Sequence, residues 1–562
     1  MESELPGSSE SEVVAQKAVA DVLVPDTRPE VRPVREATAV KQPIRLWLIV
    51  LLLGLAFDFL FWEQPVGANF ALFLALSLLG GLVFLLLEGY KPSWKSLLLL
   101  PPFAFFAIVT FLRHEPVTVF LAYFFTLFLV GLFATSYLGG RWYLYRLSNY
   151  FGKFFRLIGD LIARPFEFFQ ETQRDSLEAG NKKVLPIAGI LRGLLIALPI
   201  VFCFGALLAS ADVVFHQKLT DFFDSEKLGE NIERSILVIV FAYLLAGTFL
   251  HAVTRSRDEN IAPEDKSPIQ PFLGFPEAAV VLGSVSLLFL TFVAIQFQYF
   301  FGGETNISVQ GFTYSQYARR GFNELVIVAF FSLVLILGLS TITRREDETQ
   351  KKVYSGLSVA VVGLVMVILV SAYQRISMAI DWHGFSRLRL YPRIFLIWLG
   401  ILLLVVVALE VLRRERYFAF AVVLACIGFA ASLTMVDIDA AIVRHNIPRY
   451  LQGKNLNVAH LASLSDDAVP ALVEEYFSAP VSKREPIGAI LACYHYRAST
   501  PYAVEEDWRS FNYSEWRAHQ ALEKIRPYLT GYVIKYEHWP KQVRTPSRKL
   551  YYCREIGPAQ GE

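Results

Sequence analysis

The chain has 562 residues, of which 54% are hydrophobic and 19% charged, with 46 phenylalanines and a formal net charge of +2. Soluble domains carry about 25% charged residues, so this excess of apolar side chains needs a solvent other than water, and a disordered, collagen-like or disulfide-scaffold chain is excluded. A near-neutral total also excludes a polyanionic or strongly nucleic-acid-seeking protein, since nucleic-acid binding needs a dense basic footprint, and no nucleic-acid partner is expected.

Residues 1–43 are rich in Pro, Glu, Ser and Val without periodicity (SELPGSSESE, VPDTRPEVRP) and read as a disordered cytoplasmic tail. They lack the basic start and immediate apolar stretch of a signal peptide. Beyond them come runs long enough to cross a hydrocarbon core as helices. Eleven are expected, over 44–62, 66–87, 95–112, 117–138, 184–210, 233–253, 277–301, 321–343, 354–373, 391–412 and 416–435. The first is short and holds Asp58, and Pro101 and Pro102 interrupt the third, so counts of ten or twelve stay open. The runs are continuous rather than alternating, which selects helices over a barrel. The expected fold class is therefore all-α and polytopic, with helices one to four over 44–138, a cytoplasmic stretch over 139–183, helices five to eleven over 184–435 and a soluble helical domain over 436–562.

Lys and Arg beside the spans set the orientation. Between residues 28 and 416, 25 of them fall on the side of the amino-terminal tail and 10 on the other. The tail is then cytoplasmic and the carboxyl-terminal domain extracytoplasmic, in a bacterial plasma membrane. Within 139–183, Phe151, Phe154, Phe155, Ile158 and Ile162 share a helical face, with Lys153, Asp160 and Arg164 elsewhere. Such a helix either lies in the membrane interface or packs on neighbouring spans.

Residues 436–562 hold 16 Lys and Arg against 15 Asp and Glu, a solvated domain of ordinary size. Its segments have apolar residues at helical spacing, with a short strand expected at Tyr532–Tyr536. Cys203 and Cys426 fall in expected spans and pack as small hydrophobes. Cys493 and Cys553 fall in the outer domain, where an oxidising compartment permits a bridge; both bridged and reduced states stay open.

Two expected outer loops, TYSQYARRGFNEL and QRISMAIDWHGFSRLRLYPR, carry arginines against the charge bias. Two explanations compete. The arginines pair with Glu324, Asp381, Asp437 and Asp439 and lock the loops to the terminal domain, or they build a recessed anion site, since guanidinium forks match carboxylate and phosphate. The candidate ligand residues are Tyr314, Tyr317, Arg319, Arg320, Glu324, Arg375, Asp381, Arg387 and Arg389. His383, two residues after Asp381, is a candidate proton-transfer base with Asp381 orienting it; His445 is similarly ambiguous. No second histidine or cysteine stands at ligand spacing, so no metal is expected, and no nucleotide or hydrolase signature is present, so no cofactor is expected.

The motifs LLASADVVF, YSQYARRGFNEL, YQRISMAIDWHGFSRLRLYPR, VDIDAAIVRHNIPRY, NVAHLASLSDDAVPAL and DWRSFNYSEWRAH, in this order over about 184–530, resemble the multipass bacterial membrane family called domain of unknown function 4173. The resemblance implies an architecture and no established activity. The functional expectation is a transport or sensing protein that engages an anionic solute or lipid headgroup. Alternatives are an envelope-biogenesis transferase acting on a lipid-linked phosphate, or a scaffold binding a membrane protein through 436–562. A transporter should show a polar path through Glu277, Arg192 and Gln296. A periplasmic reporter fused after Glu562 is expected to be active; activity of a cytoplasm-only reporter there overturns the topology.

Overall fold

The computed structural model describes residues 40–178, 201, 204, 207–208, 210–212, 214, 226–257, 271–300, 322–498, 507–535 and 541–554. Residues 42–562 belong to one compact unit. Among the described residues, ten helices are long and apolar enough to cross a membrane, and the protein is a polytopic membrane protein of the all-α class, with almost no strand. They match ten of the eleven expected spans. Most of the run 184–210, most of the tail and the loop 301–321 lie outside the described residues.

The first bundle begins with a hairpin, α1 (Pro43–Phe61) and α2 (Ala68–Leu87). Asn69 is wholly buried and knits its turn, donating from Nδ2 to the carbonyls of Leu60 and Pro65 and accepting from Gly67 N at 2.8 Å. The same turn rests on residues near the carboxyl terminus. A Cβ on Gly67 would lie 2.3 Å from the Ser510 carbonyl oxygen, Ala68 N donates to Phe511 O, and Arg509 Nη1 donates to Phe59 O at 2.7 Å. Only glycine permits that approach.

The third span, α3 (Trp94–Leu112), is built from two pieces, Trp94–Leu97 and Leu100–Leu112. Pro101 and Pro102 fall in the first turn of the second piece, where a missing N–H removes no helical bond, so they open the helix rather than break it. α4 (Pro116–Ser136) follows after three residues. α5 (Leu147–Glu178) is the expected amphipathic helix, and its two faces do different things. Asp160 is buried against α6 (Glu226–Thr254), bonded to His251, and Leu157 is buried beside Gly131 of α4. A Cβ on Gly247 of α6 would strike the Leu161 backbone at 2.5 Å. Phe151, Phe155, Ile158 and Ile162, at helical spacing, stand exposed. The helix therefore packs on a span and presents an apolar stripe outward.

The second bundle comprises α7 (Phe275–Phe300), α8 (Phe322–Ile342), α9 (Glu348–His383), α10 (Arg387–Val411) and α11 (Phe418–Val436). Its core contains Ile336, Val361, Val365, Ala372, Leu403 and Val406. α9 is 36 residues long, about 54 Å at 1.5 Å per residue, and overruns the hydrocarbon thickness of about 30 Å. This corrects the expected loop over 374–393. That stretch is the end of α9 and the start of α10, joined by Gly384, Phe385 and Ser386 alone. Gly384 has φ +80°, and Asn446 clasps the turn by accepting from Phe385 N and donating to Phe385 O.

Asp437, in the left-handed region at φ 51°, breaks the chain between α11 and α12 (Ile438–Leu451). It is followed by α13 (Val458–Ala462), α14 (Val469–Ser478), α15 (Arg484–Ala498) and α16 (Tyr513–Ile525). Ile442, Val443, Leu472, Ile487, Ile490 and Ile525 are wholly buried in a core that includes Leu390, Ile394 and Leu433 from the ends of α10 and α11. A three-stranded antiparallel sheet, β1 (Val533–Lys535), β2 (Gln542–Arg544) and β3 (Leu550–Tyr552), completes this part. It contains the one expected strand and adds two more. Cys493 and Cys553 are bridged, tying the end of the sheet to α15.

Asp58, the charge that weakened the reading of the first span, is paired. Arg234 of α6 donates to it from Nε at 3.1 and 3.2 Å and from Nη2 at 2.7 Å, and lies over the Trp62 ring. A charge in an apolar span needs such a partner. Asp58→Ala is expected to destabilise the protein by less than the loss of a fully buried pair would, because the Arg234 side chain is 37% exposed and keeps Glu230 as a partner. The drop in thermal unfolding midpoint in detergent checks it, with Asp58→Ala/Arg234→Met expected to recover most of the loss.

Candidate functional site

The three-residue linker between α3 and α4 reads Arg113, His114, Glu115 and collects most of the charged side chains that the carboxyl-terminal helices send toward the spans. Glu115 caps α4, accepting from Val117 N at 3.0 Å, Thr118 N at 2.7 Å and Thr118 Oγ1 at 2.6 Å. It also accepts from the Tyr391 hydroxyl of α10. Arg113 pairs with Asp437 and donates to Thr434 O at 3.0 Å. Asp467, buried in the turn before α14, accepts from the backbone N–H groups of His114 and Glu115, both at 2.9 Å. Burial pushes the Asp467 carboxyl above its usual range.

One turn away, Asp439 is fully buried. Arg387 forks onto it, Nε at 2.8 Å and Nη2 at 2.5 Å, and Ser465 donates from N and Oγ, both at 2.7 Å. Four donors on one carboxylate satisfy what desolvation removes. The guanidinium fork of Arg387 is thereby occupied by protein.

The expected ligand residues separate. Tyr314, Tyr317, Arg319 and Arg320 lie outside the described residues. Glu324 is exposed in the first turn of α8. Arg375 is buried in α9, and Arg389 donates to the Gly384 carbonyl at 3.1 Å. Asp381 has an exposed side chain position and offers its backbone carbonyl to Arg449 at 2.7 Å. Asp381 and His383 sit two apart on a helix, where side chains point away from each other, so the carboxylate does not orient the imidazole. His383 Nδ1 lies 3.3 Å from the Ala379 carbonyl instead. His445 stacks on Phe385 with ring centroids 3.8 Å apart, and burial lowers its pKa.

The sequence assigns no functional role to His114, Glu115, Asp466, Asp467 or Glu515; Asp466 and Asp467 read there only as a helix cap after Ser465. The available signal was a charged tripeptide squeezed between two apolar runs and followed by proline. His114 Nδ1 lies 2.8 Å from Asp466 Oδ2, and Nε2 lies 3.5 Å from Glu515 Oε1. Among the described residues this is the one set whose ligand-type atoms, all within 4.8 Å of one another, are close enough for a metal, yet both ring nitrogens already face carboxylates. A small polar pocket of about 90 Å³ sits beside it, between Arg113, Asp437, Asp467, Ser514 and Arg517.

A second feature lies in the membrane-spanning part. Between α2, α4, α5 and α6 on one side and α8, α10 and α11 on the other is a chamber of about 1210 Å³, lined by residues that include Phe73, Phe128, Phe154, Trp398, Cys426 and Phe429. Along α4 its lining runs from Leu121 to Tyr137, about 24 Å at 1.5 Å per residue. Neither Glu277, exposed in the first turn of α7, nor Gln296, buried near its end, lines it; Arg192 lies outside the described residues. The polar path expected of a solute transporter is therefore not formed by Glu277 and Gln296 in this chamber.

Arg387→Ala leaves Asp439 buried without its cation and is expected to cost about 3–5 kcal/mol, whereas Arg387→Met/Asp439→Leu returns close to the parent. Unfolding midpoints in detergent check this, and equal midpoints for parent and Arg387→Ala overturn it.

No curated protein and no solved structure matches the chain. A family model, Domain of unknown function (DUF4153), matches residues 100–475. The resemblance drawn from the motifs thus leads to a family of unknown function, but the number 4173 is not confirmed. The match starts two spans earlier than those motifs, at the helix that leads into Arg113, and ends within α14, so it contains the linker and its partners Asp437, Asp439, Asp466 and Asp467. On a match covering well over half its length, the chain belongs to the DUF4153 family.

Proposed function

We propose that this membrane protein binds a membrane lipid through its hydrocarbon chains, in a transport or sensing role. The observation that carries the reading is the chamber. Small-molecule sites enclose about 300–1,000 Å³ and place a few polar groups against the ligand. This one is larger, has aromatic and aliphatic walls, and extends over most of the roughly 30 Å hydrocarbon depth. Water gains nothing there, because it needs two to four polar partners, whereas an acyl or prenyl chain does. Phe151, Phe155 and Ile158, exposed on α5, line the chamber themselves, which supports the same reading, since an interfacial helix then forms one wall of it.

In this reading residues 1–43 are cytoplasmic and 436–562 form an extracytoplasmic domain. The charge bias of 25 to 10 supports that orientation, and so does the Cys493–Cys553 bridge, because disulfides persist in oxidising compartments. The anionic-headgroup site keeps Arg319 and Arg320 as candidates, while Arg387 is engaged by Asp439. A transferase acting on a lipid-linked phosphate would use the same chamber. It has less support, since Asp381 and His383 do not converge.

Cys426 lines the chamber and is unbridged, so Cys426→Trp should fill part of it. Protein exchanged exhaustively into detergent is expected to retain at least one lipid per chain by solvent extraction and mass spectrometry. The variant is expected to retain at least threefold less, with an unchanged unfolding midpoint. Equal retention by both overturns the proposal.

A further inference from the structure

We propose that His114 is a proton-controlled clasp that fastens the α3–α4 linker to the carboxyl-terminal helices. Its ring is placed between carboxylates from two separate elements, Asp466 in the turn before α14 and Glu515 in the first turn of α16, at 2.8 Å from Nδ1 and 3.5 Å from Nε2. A neutral imidazole has one donor and one lone pair. In that state one ring nitrogen must turn its lone pair on a carboxylate oxygen. Only the imidazolium presents N–H to both, so the arrangement itself selects the protonated ring.

The surroundings reinforce this. The charged groups that face the ring are Asp466, Glu515 and Asp467, the last through the backbone N–H of His114. The nearest cation on its own segment, Arg113, is committed to Asp437. Acid therefore outweighs base around the imidazole. Its pKa is raised above the ordinary histidine value, chiefly by the hydrogen bond to Asp466 and against the opposing effect of burial. Desolvation beside the ring raises Glu515 as well, although more than half of its side chain stays exposed.

The sign of the effect follows. A group whose folded pKa lies above its unfolded value contributes stability that is fully present below the unfolded pKa, near 6.5 for histidine, and is lost as pH rises through the folded one. Glu515 is raised too, so its negative charge is lost at the acid end. The clasp is closed in the window between those two titrations and opens on the alkaline side.

What opening releases is limited and defined. Glu115 stays capped on α4 and Arg113 stays paired with Asp437, so the linker loosens at its His114 edge. That edge borders the pocket between Arg113, Asp467 and Arg517. The clasp would thus let the pH on that face of the membrane control how tightly the carboxyl-terminal helices seat on the spans. This inference is independent of the lipid reading.

The test is hydrogen–deuterium exchange of the full-length protein in detergent, following peptides covering 111–119 and 513–525 at pH 6 and pH 9 after correction for intrinsic exchange rate. Protection in the parent is expected to fall about three- to tenfold at pH 9. His114→Gln, which cannot be protonated, should show the lower protection at both pH values, and Glu515→Gln, at an exposed position, should reduce the pH response by about half. Equal pH response in parent and His114→Gln overturns the proposal. So does restoration of protection at pH 9 by equimolar zinc in the parent alone, which would make the cluster a metal site.

Discussion

A carboxylate removed entirely from water fixes how this protein closes one face of its helical bundle. Asp439 has no exposed surface, and its charge persists there only because Arg387 and Ser465 supply four donors. Arg387 begins α10 and Ser465 precedes α14, so one buried charge sets both elements against α12. Glu115, 3.9 Å from Arg387, carries the arrangement to α4 through Tyr391. Such networks specify a single geometry more than they add stability. A shift of any one helix would strand a charge, so the spans and the terminal helices fit together in one way.

The spans were legible because lipid imposes a length and a polarity that few other environments impose together. Where sequence reasoning placed a loop at 374–393, it took polarity for a break in the helix. Gln374 and Arg375 end the apolar run, yet Ile376, Ala379 and Ile380 continue the buried face at helical spacing. The periodicity survives although the hydropathy falls. Pro101 and Pro102 misled in the opposite sense, since a proline pair disrupts a helix interior and suits a helix start.

The polar face was less legible, for a reason of distance. Arg113, His114 and Glu115 read as an ordinary charged linker, and their partners stand more than 270 positions away. Nothing local to either segment signals the pairing. Of the arginines that draw attention through the charge bias, Arg387 is tied to Asp439, one of the acids named as its possible partner. The chamber was invisible for a related reason. Its walls come from two bundles, and each phenylalanine in them looks like any other apolar residue of a span.

The turn of the first hairpin, finally, sets a schedule for making the protein. Gly67 and Ala68 rest against Ser510 and Phe511, which the ribosome adds some 440 residues later. At about 5–20 residues per second the opening hairpin waits roughly 20–90 seconds for the surface that covers its tip. In the proposed orientation, that surface must also be translocated across the membrane first. Truncations that remove Ser510 and Phe511 therefore reach back to the opening hairpin.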